Sequence, residues 1–532
     1  MGDFVVEGYD RRTRLIIGRT LLEHIRELGI DINASCGGVG DCKQCLVRVI
    51  NAVSLTPLTD AEREFIREED YRLACQAKVV QDDEDVYVVI PERKFTIWVT
   101  GKSKEVELDP FVKAIPLYGN RVHWQTRDLG VYRGELYGIA LDIGTTTLSM
   151  YCVDLETGKD VLVLSRENPQ IKYGNDVVLR ITYARNKGQR ELERDIRRGV
   201  NEMIKNLPIN SEYIYEMTVV GNTTMRELFF GNPVETLGEA PYEPYSKLPV
   251  YRTAGELSLS INHRAIVYGL PLISGFIGAD NVGVILATEL HKGAETSIAI
   301  DIGTNTEIVI GNEDRLIATS CASGPAFEGV GITWGIGGVG GAIKKMSIDE
   351  KLEVNYETIN DLPPIGICGS GLIDALAQML DRGIVDWRGR FTDNRDEFII
   401  VERTNPITIS EEDIDKLKLA KAAIALGIKV MIELYGTDLK RLDNFQLAGG
   451  FGNFINVENA QKIGMLPDLP PEKIERVGNA AIEGAREVLI SRSKRKEAEI
   501  LARRVEHLSL ASLTDFSYRY MNELPFKKYM PS

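Results

Sequence analysis

The sequence predicts a multidomain protein of mixed α+β and α/β character. A small cysteine-bearing domain is joined by a linker to a larger body of two similar halves. Three observations predict it. At 532 residues the chain exceeds what one hydrophobic core serves. Four of its seven cysteines, Cys36, Cys42, Cys45 and Cys75, lie in the first 75 residues. A strand-turn-strand device built on Asp-Ile-Gly-Thr occurs twice, as YGIALDIGTTT at 137–147 and as TSIAIDIGTNTE at 296–307.

Composition narrows the class. With 44% hydrophobic and 27% charged residues the chain reads as an ordinary soluble globular protein. A net charge of −15 argues against a nucleic-acid or anionic-membrane partner. The basic run RSKRK at 492–496 reads as a solvated helix face. No apolar stretch approaches the about 20 residues of a membrane span. The N-terminus MGDFVVEGYDRR lacks the apolar core of a secretory signal, so the expected compartment is the cytoplasm. There a local cluster of four cysteines is a metal site rather than a disulfide framework.

Residues 1–95 form the first predicted domain. FVVEG at 4–8 and RLIIG at 14–18 read as short strands. TLLEHIRELG at 20–29 reads as an amphipathic helix with Leu21, Leu22, Ile25 and Leu28 on one face and Gly29 as its stop. NASCGGVGDCKQCLVRV at 33–49 then places three cysteines in a glycine-rich loop leading into a strand. A helix near Thr59 precedes Cys75, and QAKVV and VYVVI read as strands beyond it. The spacing is Cys-x5-Cys-x2-Cys-x29-Cys. Small glycines let the backbone wrap a cluster and aim N–H groups at its sulfurs. Structural zinc sites usually pair two short spacings, and only one Cys-x2-Cys is present. The five-residue first gap resembles the adrenodoxin-like [2Fe–2S] ferredoxins, and the element order resembles their β-grasp fold.

Residues 96–135 read as a linker with some strand character, broken by Pro110 and Pro116. Gly101-Lys102-Ser103 looks like the tail of a P-loop, but Thr96 stands where that motif needs its first glycine.

The large body divides at 136–294 and 295–477, followed by C-terminal helices at 478–532. In each Asp-Ile-Gly-Thr device an apolar strand ends in an aspartate and turns through glycine. Such a turn points N–H groups and Thr/Asn side chains at one spot, which suits a phosphate, and the aspartate can hold hydrated Mg²⁺ beside it. Two copies suggest two halves gripping one polyphosphate. AGGFG at 448–452 follows another apolar strand, and its glycines let backbone approach a flat ring such as adenine. Gly335, Gly337 and Gly340 match G-x-G-x-x-G, but without the flanking strand a dinucleotide site requires. That run reads instead as a mobile loop near the nucleotide or the domain interface. Cys152, Cys321 and Cys368 read as small core residues, and the five dispersed histidines suggest no histidine metal site.

The ordered set DIGTTT (142–147), VVGNTTM (219–225), DIGTNTE (301–307) and AGGFG (448–452) resembles the phosphate-1, connecting, phosphate-2 and adenosine motifs of the acetate and sugar kinase, heat-shock ATPase and actin superfamily. With the N-terminal cysteine domain, the chain resembles the reductive activators of corrinoid proteins across essentially its whole length. NPQIKYGNDV (168–177), ISGFIGADNV (273–282), ASGPAFEG (322–329) and GICGSGLIDA (366–375) look like stretches typical of that family.

The resemblance implies a β-grasp [2Fe–2S] ferredoxin domain, a linker and a two-lobed actin-like ATPase of duplicated ribonuclease H-like subdomains. It implies ATP-dependent reduction of Co(II) to Co(I) on a partner methyl-transfer protein, with [2Fe–2S], ATP and Mg²⁺ as cofactors and a separate electron donor. It also suggests a dimer. Gly144, Thr145, Thr146 and Thr147, with Gly303, Thr304 and Asn305, are the expected phosphate cradle, and Asn222 of the connecting motif is expected to help bind the nucleotide. Asp142 and Asp301 are expected to hold Mg²⁺ waters or position the attacking water, and Gly449, Gly450 and Gly452 to bracket adenosine. Cys36, Cys42, Cys45 and Cys75 are the expected cluster ligands. Glu307 is open to either a water-orienting or a structural role.

Three rivals share parts of the pattern. They are an activator of the 2-hydroxyacyl-CoA dehydratase type, whose [4Fe–4S] cluster shared between two subunits would take Cys321 and Cys368, a small-molecule kinase, and a redox-sensing, nucleotide-gated binding protein.

Overall fold

Local signals build the N-terminal unit. Thr20 and Glu23 form a capping box: the Thr20 hydroxyl accepts from the Glu23 N–H at 3.2 Å, and the Glu23 carboxylate accepts from the Thr20 N–H at 2.7 Å. The helix Leu21–Glu27 so started buries Leu21, Leu22 and Ile25 in a core with Phe4, Val47 and Val88. These residues belong to a computed structural model that describes residues 2–7, 11–30, 32, 45–65, 70–90, 106–115, 120–393, 395–403 and 406–526. The chain falls into two compact units. One is Met1–Lys94 with the short stretches Pro169–Asn175 and Glu402–Pro406, and the other is the remainder.

The first unit carries a five-stranded mixed sheet in the order Arg11–Arg14, Asp3–Val6, Val86–Val89, Leu46–Val49, Tyr71–Leu73. Asp3–Val6 pairs antiparallel with Arg11–Arg14 and parallel with Val86–Val89. The strand expected at 14–18 lies earlier. Its pairing ends at Asp3 opposite Arg14, where the partner strand runs out, and Ile16 and Ile17 beyond it are 38% and 59% exposed. QAKVV makes only isolated bridges, Lys78 to Thr20 and Val79 to Leu55. A buried ion pair orders the approach to Cys75. Arg72 Nε donates to Glu62 Oε1 at 2.9 Å, and the Leu73 N–H donates to the same oxygen at 3.0 Å. The helix Asp60–Phe65 is thereby fastened to the strand Tyr71–Leu73.

In the second unit the predicted linker holds a small antiparallel sheet of Val112–Ile115, Arg121–Trp124 and Arg127–Val131. Val112, Val122 and Leu129 join the core that contains Ala140, Tyr151 and Leu489. Glu216 ties the sheet down, accepting from Trp124 Nε1 at 2.8 Å and Arg495 Nη2 at 2.7 Å.

Two six-stranded sheets follow that share the order of five strands and carry the sixth on opposite edges. The first orders Asp160–Glu167, Thr147–Asp154, Tyr137–Ile143, Ile214–Gly221, Ile266–Gly269, Val250–Thr253. The second orders Ile474–Gly478, Phe445–Ala448, Ser297–Ile302, Thr306–Gly311, Leu316–Cys321, Val505–His507. Each contains an antiparallel three-strand meander whose first strand pairs parallel with a later one: Tyr137–Ile143 with Ile214–Gly221, and Ser297–Ile302 with Phe445–Ala448. That shared order is the duplicated, actin-like arrangement.

Helices Ala279–Thr288 and Ala480–Ile490, which follow corresponding strands of the two sheets, cross at Gly283 and Gly484. A Cβ on Gly484 would stand 2.2 Å from the Gly283 carbonyl oxygen, so the crossing requires glycine. Of the apolar run at 271–290, only Ala279–Thr288 is helical. Ser274 Oγ accepts from the Phe276 and Ile277 N–H groups and holds the preceding segment as a turn. Among the described residues no helix is long and apolar enough to cross a membrane.

Candidate functional site

Both Asp-Ile-Gly-Thr segments lie where a central strand of each sheet reaches its turn. In the first, Ile143 pairs with Leu148, and in the second, Ile302 pairs with Thr306, so the first turn is one residue longer. Each is closed from within: the Gly144 N–H donates to Thr147 O at 2.9 Å and the Gly303 N–H to Asn305 O at 3.1 Å. Those two amides are committed to the turns, which leaves the side chains of Thr146, Thr147 and Asn305 partly exposed in the cleft.

Outer contacts hold the first turn rigid. Asn168 Nδ2 donates to Gly144 O at 2.8 Å, and Arg180 Nη2 donates to Thr145 O at 2.5 Å. Arg180 is fully buried, and burial pulls its guanidinium down to about 9. Asn222 caps the helix Thr223–Phe230, accepting from the Met225 N–H at 3.0 Å. Its amide donates to Thr145 Oγ1 at 3.0 Å, which joins the connecting motif to the first turn.

The structure gathers the predicted aspartates with two acidic residues that sequence reasoning left out of the catalytic set or left open. Asp142 accepts from Asn479 Nδ2 at 3.3 Å, Asn479 being the N-cap of Ala480–Ile490. Asp280 stands in the first turn of the helix Ala279–Thr288 and feels the charges of Asp142 and Asp301. Glu307 feels those of Asp280 and Asp301. Burial pushes Asp142 up to about 6. Burial and the neighbouring Asp142 push Asp301 up to about 7. Asp280 and Glu307 are raised for the same two reasons, desolvation first and like charge second. Among the described residues no three carboxylate, histidine or cysteine side chains converge closely enough to ligate a bare ion.

The glycine turn at 448–452 meets the same cluster. Gly449 has φ +85°, and a Cβ there would lie 2.4 Å from Asp301 Oδ1. Gly449–Gly452 form one short helical turn at the end of the strand Phe445–Ala448, and Phe451 stacks on Phe327 with ring centroids 5.8 Å apart. The decoy glycine run opens into the strand Ala342–Ile348 and not into a helix, which a dinucleotide fold would require.

Glu328, which sequence reasoning also passed over, bridges the two turns. Thr304 Oγ1 donates to its Oε1 at 2.8 Å, and Thr146 reaches the same carboxylate. Burial raises its carboxyl above the usual range. Asp280 and Glu328 lie in GADN and AFEG, where an acid interrupts glycine-rich apolar sequence. That interruption was the available signal.

In the N-terminal unit Cys45 and Cys75 come together, both buried. The Cys75 N–H donates to Cys45 Sγ at 3.4 Å, and Gln76 Nε2 donates to Cys75 Sγ at 3.8 Å. Adjacent buried sulfurs receiving N–H donors fit the ligands of an iron–sulfur cluster. Cys36 and Cys42 lie outside the described residues.

Comparison with known proteins agrees with this architecture. Residues 4–80 match the family model described as "2Fe-2S iron-sulfur cluster binding domain", 137–293 match "RACo middle region", and 295–531 match "C-terminal domain of RACo the ASKHA domain". The chain is 30% identical to the "Corrinoid activation enzyme RamQ" of Eubacterium limosum, over 94% of this chain and 95% of that protein. It is 27% identical to the "[Co(II) methylated amine-specific corrinoid protein] reductase" of Methanosarcina barkeri, over 74% of this chain and 77% of that one. A solved structure of a "Reductive activator for corrinoid,iron-sulfur protein" superposes with a TM-score of 0.74 at 29% identity, covering 99% of this chain and 98% of that one. The chain belongs to the RACo-type reductive activators of corrinoid proteins, with an N-terminal [2Fe–2S] ferredoxin domain and an actin-like ATPase body.

Proposed function

We propose that this protein reduces the Co(II) form of a corrinoid methyl-transfer protein to Co(I), taking electrons from a separate donor, with ATP hydrolysis driving the cycle. The observation that carries this reading is the presence in one chain of a buried cysteine pair in a ferredoxin fold and a doubled Asp-Ile-Gly-Thr cleft.

A [2Fe–2S] cluster held by Cys36, Cys42, Cys45 and Cys75 supplies one electron at a time. Around it the chain's own N–H donors, from Cys75 and Gln76, favour added negative charge on the sulfurs and so make the site easier to reduce. Each about 59 mV of uphill gap costs tenfold in a one-electron equilibrium. Transfer to a lower-potential Co(II) therefore needs coupling to docking, and nucleotide turnover that releases the partner makes the cycle irreversible.

In the cleft, Thr145, Thr146, Thr147, Thr304 and Asn305 hold the phosphates, while Asp142 and Asp301 hold Mg²⁺ through its waters, with Asp280 adding negative charge beside them. Gly144, Gly303 and Asn222 shape the turns. Gly449, Gly450 and Gly452 bracket adenosine, with Gly449 kept bare so that Asp301 can lie against it.

The raised carboxylates give a stability signature. Unfolded carboxyls ionise near about pH 4, whereas Asp142 and Asp301 hold their protons to about 6 and about 7. The folded state binds more protons through that window, so stability without metal falls as pH rises through it. Mg²⁺ replaces those protons. The melting temperature in EDTA is expected to drop between pH 5 and 7.5, and the gain on adding Mg–ATP to be larger at pH 7.5 than at pH 5.

The dehydratase-type reading draws no support from its nominated cysteines. Cys321 is buried against Gly427, where a Cβ would meet its sulfur at 2.3 Å. Cys368 is buried, and its thiol donates to Ile343 O at 3.3 Å. Iron analysis of anaerobically purified protein tests the choice. About two irons per chain is expected, and a further cubane shared between chains would contradict it.

A further inference from the structure

The junction of the two phosphate turns is occupied by a carboxylate. Glu328 ends the short turn Ala326–Glu328 that follows the strand Leu316–Cys321. Its position is fixed by backbone. Gly329 has φ +84°, and a Cβ on it would stand 2.4 Å from the Ile336 nitrogen. A Cβ on Gly335 would in turn stand 2.3 Å from Gly329 O. Gly335 and Ile336 thus pack against Gly329, the residue after Glu328, whose carboxylate meets the two turns. There Oε1 accepts from Thr304 Oγ1 at 2.8 Å, Thr146 of the other turn reaches the carboxylate, and Oε2 is buried without a hydrogen-bond partner. A buried unpartnered carboxylate oxygen costs free energy, so its retention in a ligand cleft calls for a functional reason.

We propose that Glu328 is the proton acceptor for the water that attacks the terminal phosphate of ATP, freed for that role when the phosphates take the Thr304 hydroxyl. The inference rests on reading the cleft as a nucleotide site. A threonine hydroxyl has a single hydrogen to donate. With the cleft free of phosphate, Thr304 gives that hydrogen to Glu328. A phosphate oxygen in the second turn competes for it, and the exchange frees one acceptor position on Oε1 beside the already unpartnered Oε2. The carboxylate then accepts a hydrogen bond from water. As the water oxygen bonds to the terminal phosphorus, the bond from phosphorus to the bridging oxygen breaks, and its electron pair leaves on that oxygen with the diphosphate. The water proton passes to Glu328 and from there to the released phosphate or to solvent. Hydrolysis is thus tied to correct seating of phosphate in the second turn.

The test separates binding from turnover in the full-length protein. Affinity for the non-hydrolysable analogue AMPPNP with Mg²⁺ is measured by calorimetry, and Mg–ATP hydrolysis by single turnover. Glu328→Gln keeps the size of the side chain and the hydrogen bond from Thr304 but cannot take the proton. It is expected to slow hydrolysis by about 10²–10⁴-fold while analogue affinity stays within about threefold. Glu328→Asp, whose melting curve serves as the folding control, is expected to fall between the two. Hydrolysis by Glu328→Gln within about threefold of the unsubstituted chain overturns the proposal. So does joint loss of analogue binding and hydrolysis in both folded variants, which marks a purely structural carboxylate. An unsubstituted chain that neither binds AMPPNP nor hydrolyses ATP defeats the nucleotide reading itself.

Discussion

A Cys45→Ser chain is expected to lose corrinoid reduction by about 100-fold or more while its nucleotide affinity stays unchanged. Cys45 is 1% exposed and sits at the start of the strand Leu46–Val49, with its carbonyl accepting from the Ala74 N–H at 2.8 Å and its sulfur from the Cys75 N–H at 3.4 Å. Serine offers a harder and shorter ligand atom, so the cluster is lost or bound with altered potential. The cleft residues belong to the other compact unit, built on its own cores. Visible absorption of the purified variant, its Mg–AMPPNP affinity and its rate of Co(I) formation check all three statements together. Full-rate corrinoid reduction by the variant would remove the cluster from the account.

Asp301→Asn is expected to cut Mg–ATP hydrolysis by about 10²–10⁴-fold, the loss that follows when a charged group no longer serves a metal or a water. The replacement has the same size, so the contact with Gly449 is preserved. It also removes one of the like charges that raise Asp280 and Glu307. The metal-free variant is therefore expected to melt at a higher temperature than the unsubstituted chain at pH 7.5. A merely structural aspartate would give the opposite sign. Melting curves in EDTA and hydrolysis assays on the same sample separate the two.

What could be read from sequence was what is coded locally. The strands Tyr137–Ile143 and Ser297–Ile302 are apolar runs that end in Asp-Ile-Gly, and both lie where expected. The helix at 20–29 carried its own capping box. Asp280 and Glu328 could not be assigned in this way, because each acquires its role only when two lobes bring separate loops to one cleft. The longest helix, Glu411–Tyr435, went unassigned although Ser410 and Asp413 form a capping box. Its buried residues run without a break from Ala420 to Ile428, so no polar face marks the helical period there. The expected strand at 14–18 failed for a tertiary reason, since an edge strand extends only as far as its partner. The repeated motif also overstated the symmetry. One turn is a residue longer, and the residue paired across from the aspartate is Ser149 in the first half and Glu307 in the second.

The most direct measurement of the central claim is anaerobic absorption spectroscopy of the reduced protein mixed with a Co(II) corrinoid methyl-transfer protein, with and without Mg–ATP. The expected result is growth of the Co(I) band that depends on ATP and fails with AMPPNP beyond a first turnover. Absence of ATP-dependent Co(I) across several corrinoid partners, with the cluster shown to be intact and reduced, would contradict the account.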